Sequence, residues 1–157
     1  MNNIESRISF VEYTKIFLEK SYKWLNDLEI KYLTDTPDFT KEAQQEWFET
    51  LSNRNDYKVW GIEFDKKPIG VVGLKHINNQ ESTAEYFGYI GEKEYWGHGI
   101  GKLMIQFCIK QAKLMKINNL TLNVIKDNIR AINLYRRFGF ETFEDNTTLK
   151  MNLFLFL

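Results

Sequence analysis

The run Trp96-Gly97-His98-Gly99-Ile100-Gly101-Lys102 places three glycines at alternate positions just before an amphipathic stretch. Glycines so spaced let the backbone approach a ligand closely and take positive φ. A helix opening there aims its unpaired N–H groups at the loop, and its dipole favours negative charge. Together these features suit a diphosphate. Lys102 adds a cation at the helix start, and His98 lies between two of the glycines, within reach of a phosphate. The dinucleotide fingerprint is a poor fit, because it needs G-x-G-x-x-G after a parallel strand, and this loop is G-x-G-x-G after strands that read as antiparallel. The Walker loop also fails: Gly101-Lys102 is followed by Leu103, and no glycine stands at the required distance before it.

The elements that must position this loop read as mixed α and β. Ile8 to Val11 suits a short strand, and apolar residues recur at helical spacing from Tyr13 to Leu33. Thr34 to Asp38, with Pro37, is a break; Thr40 then caps a helix over Lys41 to Leu51. Strands follow at Tyr57 to Glu63, Ile69 to Ile77 and Thr83 to Ile90, separated by turn signals at Asp65 to Pro68 and Asn78 to Glu81. Gly70 and Gly73 are candidate bulges. Short connections make these three strands antiparallel. After the glycine loop come a helix over Lys102 to Lys116, a strand over Leu120 to Ile125, a helix over Asn128 to Phe138 stopped by Gly139, and a strand pair at Phe140 to Phe143 and Leu149 to Leu157. The order strand, loop, helix, strand makes the strand at Leu120 parallel to the one at Thr83.

A second block, Asn128-Ile129-Arg130-Ala131-Ile132-Asn133-Leu134-Tyr135-Arg136-Arg137-Phe138-Gly139-Phe140, follows the loop by about 30 residues. With it the chain resembles the GNAT superfamily of acetyl-CoA-dependent N-acetyltransferases. That family opens a helix with (Q/R)-x-x-G-x-(G/A), then adds a strand and N-x-x-A-x-x-x-Y-x-x-x-G-F. Gly99 and Gly101 fill the small positions of the first block; Asn128, Ala131, Tyr135, Gly139 and Phe140 fill the second. Trp24-Leu25-Asn26-Asp27 and Tyr32-Leu33 are similar to the branch that acetylates ribosomal-protein N-termini and amino-sugars. One position departs: the family's Gln or Arg is Trp96 here, which moves the expected diphosphate binding toward backbone amides.

The resemblance implies a single α+β domain over residues 1–157, with a central mixed, mostly antiparallel sheet splayed at its middle and helices on both faces. Acetyl-CoA is the implied cosubstrate, with no metal. It would lie between the strands at Thr83–Ile90 and Leu120–Ile125, forced apart by a bulge near Gly88-Tyr89. Tyr89 and the N–H of Ile90 would face the thioester, Gly97 to Lys102 the diphosphate, and Asn128 and Asn133 the pantetheine. Attack on the thioester needs an amine free of its extra proton. Glu85, on a strand lining the cleft, is the leading base and His76 the runner-up. Tyr135 matches the tyrosine that serves the departing thiolate, a phenol being a suitable donor. Trp24, Asn26, Tyr32 and His76 are the acceptor-site candidates. The implied acceptor is a primary amine, with a small amine such as a nucleotide-linked amino-sugar favoured. A protein N-terminus, or a non-catalytic acyl-CoA-binding role, is the alternative.

Composition narrows the partners. Lys plus Arg equals Asp plus Glu at 21 each, so no global charge favours nucleic acid or an anionic membrane. No apolar run reaches the roughly 18 residues of a membrane helix. No secretory signal is evident, and the single Cys108 fits a reducing, cytoplasmic setting. Cys108 falls within an apolar helical pattern and reads as a buried thiol rather than a nucleophile. The apolar C-terminal strand offers an edge for a homodimer.

Overall fold

The computed structural model describes residues 3–156. Seven strands form one sheet: β1 (Ile8–Glu12), β2 (Lys58–Phe64), β3 (Lys67–Asn78), β4 (Thr83–Ile90), β5 (Asn119–Ile125), β6 (Glu141–Asp145) and β7 (Thr148–Phe154). Their order in space is β1-β2-β3-β4-β5-β7-β6. All neighbours are antiparallel except β4 and β5. The last strand was expected to reach Leu157, which lies outside the described residues. Strand β7 runs between β5 and β6, so β6, not β7, has the open edge on that side. The C-terminal strand is therefore an inner strand over Leu149 to Asn152 rather than the edge expected from the sequence.

The helices are α1 (Lys15–Leu25), α2 (Leu28–Leu33), α3 (Lys41–Thr50), α4 (Ile100–Leu114) and α5 (Ile129–Arg137). The apolar run from Tyr13 to Leu33 is two helices rather than one. Asp27 takes an extended conformation (φ −66, ψ 127) and its carboxylate accepts from the N–H groups of Glu29 and Ile30, which starts α2 afresh. Helix α4 begins two residues earlier than the pattern suggested, with Gly99 as its N-cap.

Each face of the sheet buries its own cluster. Ile62, Val72, Leu74, Met104, Ile105, Cys108 and Ile132 form one with α4 and α5; Phe17, Leu18, Trp24, Ile30 and Val71 form the other with α1, α2 and α3. Burying one such side chain contributes roughly 1.5–3 kcal/mol, so these faces hold the sheet rigid behind the cleft.

One turn and one strand irregularity differ from the sequence reading. The β2–β3 hairpin closes on Asp65 and Lys66 alone, both at positive φ (48° and 67°), and Pro68 falls inside β3. The register between β2 and β3 shifts at Ile62/Glu63, opposite Ile69, beside Gly70 as expected; Gly73 sits in regular pairing with Val59. A second irregularity lies between Lys75 and Asn78, where His76 takes φ 52. No helix among the described residues is long and apolar enough to cross a membrane.

Candidate active site

Parallel pairing between β4 and β5 is limited to Thr83↔Asn119, Ala84↔Leu120 and Glu85↔Thr121. Beyond Glu85 the two strands part, while β4 stays paired to β3 and β5 to β7. The splay was expected from a bulge near Gly88-Tyr89. Instead those residues pair regularly with Val72 and Val71, so divergence of the strands, not a bulge, opens the gap. Gly91 N–H donates to the Ile69 carbonyl (2.7 Å), which sets the alternation along β4. Glu85, Phe87 and Tyr89 exchange backbone hydrogen bonds with β3, and the N–H and C=O groups of Tyr86, Gly88 and Ile90 turn toward the gap. The Ile90 carbonyl accepts from Trp96 Nε1 at 2.9 Å, and its N–H faces the gap.

Below the gap lies the glycine loop. Gly97 and Gly99 hold φ near +80°, a conformation that costs a side-chain-bearing residue strain. Gly101 has another role: a Cβ there would approach Leu134 Cδ2 to 2.9 Å, so it lets α4 pack against α5. Ile100 is buried and contributes to the cleft wall near the loop. Arg130 Nη1 is the nearest atom to a Cβ built on Gly97 (3.9 Å). Lys102, Arg130 and Arg137 all line the cleft, and none forms an ion pair among the described residues. Positive-φ glycines, a helix start and unpaired cations fit a diphosphate, and the open strand edges fit an amide-bearing chain such as pantetheine. Sequence reasoning missed Arg130, although its place two residues after Asn128 at a helix start was the available signal. His98 lines a separate shallow depression with Ile4, Arg7, Phe64, Glu94 and Tyr95.

The gap leads into a cleft of roughly 1490 Å³ lined from both sides of the sheet. Glu85 faces the side of α1–α3, where its carboxylate meets Lys75 Nζ at 3.5 Å and His76 Nδ1 at 3.2 Å. Its chain neighbour Tyr86 faces the other way and packs edge-on against Tyr135, with ring centroids 6.0 Å apart. Burial pushes the Tyr135 phenol up to about 12, so it is protonated across the physiological range. The Tyr86 phenol is also raised, by burial first and by Tyr135 second. Asn128 caps α5, its Oδ1 accepting from Ala131 N–H at 3.4 Å, and it lines the cleft as well. Asn133 is exposed and does not line the cleft.

Glu85, Tyr135, Tyr89, Ile90, Trp96, Gly97, Gly99, Ile100, Gly101, Lys102 and Asn128 thus share one cleft. The four acceptor-site candidates do not line it. Trp24 is 4% exposed and lies under Gly91, where a Cβ would sit 2.1 Å from its ring, and it meets the Tyr89 ring edge-on. Asn26 Nδ2 donates to the Tyr22 carbonyl at the end of α1. The Tyr32 hydroxyl donates to the Asp127 carboxylate. His76 stands behind Glu85. The half of the cleft on the side of α1–α3 is lined instead by Glu29, Asp35, Phe39, Trp47 and Tyr57, with Lys75 and Glu85 at its inner end. Helix α2 is held across this half by Lys93, which bridges Asp27 (2.9 Å) and Glu29 (3.0 Å), and by the Tyr32–Asp127 bond. Lys93 holds the Asp27 carboxyl below its ordinary range.

Comparison with known proteins agrees with this arrangement. The profile of the Acetyltransferase (GNAT) family matches residues 21–140. Acetyltransferase PseH of Campylobacter jejuni is 24% identical over 139 residues, covering 88% of this chain and 85% of that one. A probable spermine N(1)-acetyltransferase of Bacillus subtilis is 43% identical over 51 residues, 32% of this chain and 34% of that one. Among solved structures, spermidine N-acetyltransferase from Vibrio cholerae in complex with CoA and spermine superposes with a TM-score of 0.84 at 20% identity, covering 96% of each chain. PseH in complex with acetyl coenzyme A superposes at 0.72 and 22% identity, covering 94% of this chain and 98% of that one. The chain belongs to the acetyltransferase (GNAT) family and is an acetyl-CoA-dependent N-acetyltransferase.

Proposed function

We propose that the chain acetylates a small primary amine by direct attack in a ternary complex, with Glu85 as base and Tyr135 as the group serving sulfur. One observation carries this reading: adjacent residues Glu85 and Tyr86 face opposite sides of the sheet at the point where the gap opens, and Tyr135 backs Tyr86. A base therefore stands on the acceptor side and a protonated phenol on the cofactor side of one opening. When bound, acetyl-CoA supplies the activated acyl group. The Ile90 N–H would hold the acyl oxygen, as a fixed donor holds a developing oxyanion. The Gly97–Lys102 amides, with Lys102 and Arg130, would bind the diphosphate. Tyr135 keeps its proton for the departing sulfur. Cys108 is fully buried and its thiol is pushed up by burial, so it offers no nucleophile for a covalent acyl-enzyme.

The acceptor half favours a substrate with one ammonium over a polycation. Of its carboxylates, Glu29 is bridged by Lys93 and Glu85 is faced by Lys75. Asp35 alone has no ion-pair partner among the described residues. Phe39, Trp47 and Tyr57 supply a wall on which a sugar or base can stack. A nucleotide-linked amino-sugar fits these features. The test is release of CoA thiol from acetyl-CoA with amino-sugar nucleotides, spermine and an alanine-initiated peptide as acceptors. Turnover is expected with the amino-sugars; turnover with the peptide alone would replace this reading with a protein N-terminal one.

A further inference from the structure

Residues 75 and 76 are consecutive on β3, and consecutive strand residues point to opposite faces. Yet Lys75 and His76 both reach the Glu85 carboxylate, at 3.5 and 3.2 Å. The cause is the irregularity between Lys75 and Asn78: His76 takes φ 52 and turns its ring back toward Glu85. A non-glycine residue in that conformation is strained, and such strain gathers at functional sites. The His76 side chain is 72% exposed and the Glu85 side chain 23%. Carboxylate and imidazole thus form a chain from the cleft wall to solvent.

We propose that His76 is a proton relay acting through Glu85, carrying the proton of the acceptor ammonium out of the cleft. The proposal rests on the acetyl-transfer reading above. The balance is as follows. The new N–C bond forms as the C–S bond breaks, and the attacking nitrogen gives up two protons between ammonium and amide. One restores the Tyr135 phenol, whose own proton goes to the departing sulfur. The other passes from nitrogen to the Glu85 carboxylate, then to His76 Nδ1, and leaves to water from the exposed ring, which exchanges tautomers with solvent. One proton is released per turnover. The charged and titratable groups around the pair suit this path. Glu85 is faced by Lys75 and His76 from β3, Tyr57 from the segment before β2 and Lys150 from β7. His76 is faced by Glu85 and by Asp56, itself held by Arg54 at 2.8 Å. Lys75 thus stands on the carboxylate side of the pair and Asp56 on the imidazole side.

The experiment compares wild type with His76→Asn, because asparagine tolerates positive φ and keeps the bulge. Expected are an unchanged melting temperature, unchanged KM for acetyl-CoA, and a kcat about tenfold lower that rises with added imidazole or other small bases. Wild type should be insensitive to buffer concentration. His76→Ala is the second variant and should also be rescued by imidazole. Wild-type turnover with an equal kcat in His76→Asn, or a loss that imidazole leaves untouched, would overturn the relay while leaving the acetyl-transfer reading intact. A wild type that releases no thiol with any small amine would overturn that reading and the relay with it.

Discussion

Trp96 Nε1 donates to the Ile90 carbonyl at 2.9 Å, tying the start of the glycine loop back to the last residue of β4. The bond occupies the carbonyl and leaves the N–H of the same residue facing the gap. Trp96→Phe keeps the bulk and removes the donor. One such bond is worth about 0.5–1.5 kcal/mol, so CoA affinity should fall roughly two- to tenfold. Isothermal titration with CoA measures it, and an unchanged Kd would show that the loop holds its shape without the indole.

Gly99 and Gly101 should separate binding from stability. Gly99 has φ +81 and no atom within 3.7 Å of a built Cβ, so Gly99→Val strains the cradle without a clash. CoA affinity should drop at least tenfold with a small change in melting temperature. Gly101→Val meets Leu134 instead, at 2.9 Å from Cβ alone. Overpacking of this kind costs about 1–3 kcal/mol; the melting temperature should fall, with CoA binding retained below the transition.

Arg130 has no ion-pair partner among the described residues and stands beside Gly97, so its charge should show as salt dependence. Arg130→Ala is expected to weaken CoA several-fold at low ionic strength and less at high, because exposed charges are screened. Titrations at two salt concentrations test this.

Tyr135→Phe should lower kcat ten- to a hundredfold with little change in either KM. The same residue affects alkaline stability. Burial raises the phenols of Tyr13 and Tyr135 to about 12 from 10. Where the unfolded phenol ionises and the folded one does not, ionisation favours the unfolded state, so stability falls with pH. This contribution is therefore full below pH 10 and is lost as pH climbs from 10 to 12. Thermal melts across that window should show falling stability, and the slope should be shallower in Tyr135→Phe. A wild-type melting temperature flat to pH 12 would refute it.

Lys93 and Tyr32 hold the two ends of α2. The Lys93→Ala, Tyr32→Phe pair should raise the acceptor KM several-fold and leave the acetyl-CoA Kd unchanged. Equal effects on both ligands would mean that α2 supports the whole fold rather than the acceptor half.

Local chemistry made much of this site legible in the chain. Glycines at alternate positions before an amphipathic run, and Asn128 to Phe140 after the next strand, carry their signal within a few residues, because caps, positive φ and helix faces are short-range properties. The sequence by itself therefore determined the positive-φ glycine loop at a helix start, the caps at Thr40 and Asn128, the turn at Gly139 and the placement of Glu85 and Tyr135 on a strand and a helix of one crossover unit. Only the tertiary structure decided which side chains share the cleft. Trp24 is an acceptor-site candidate in the sequence, but Gly91, 67 residues away, leaves the space that buries it. The splay follows from where β5 stops pairing with β4, and the joining of Tyr32 to Asp127 and of His76 to Glu85 depends on a break in α1–α2 and a strand irregularity. Those are relations between distant segments, set by packing across the sheet, and no local pattern of residue types encodes them.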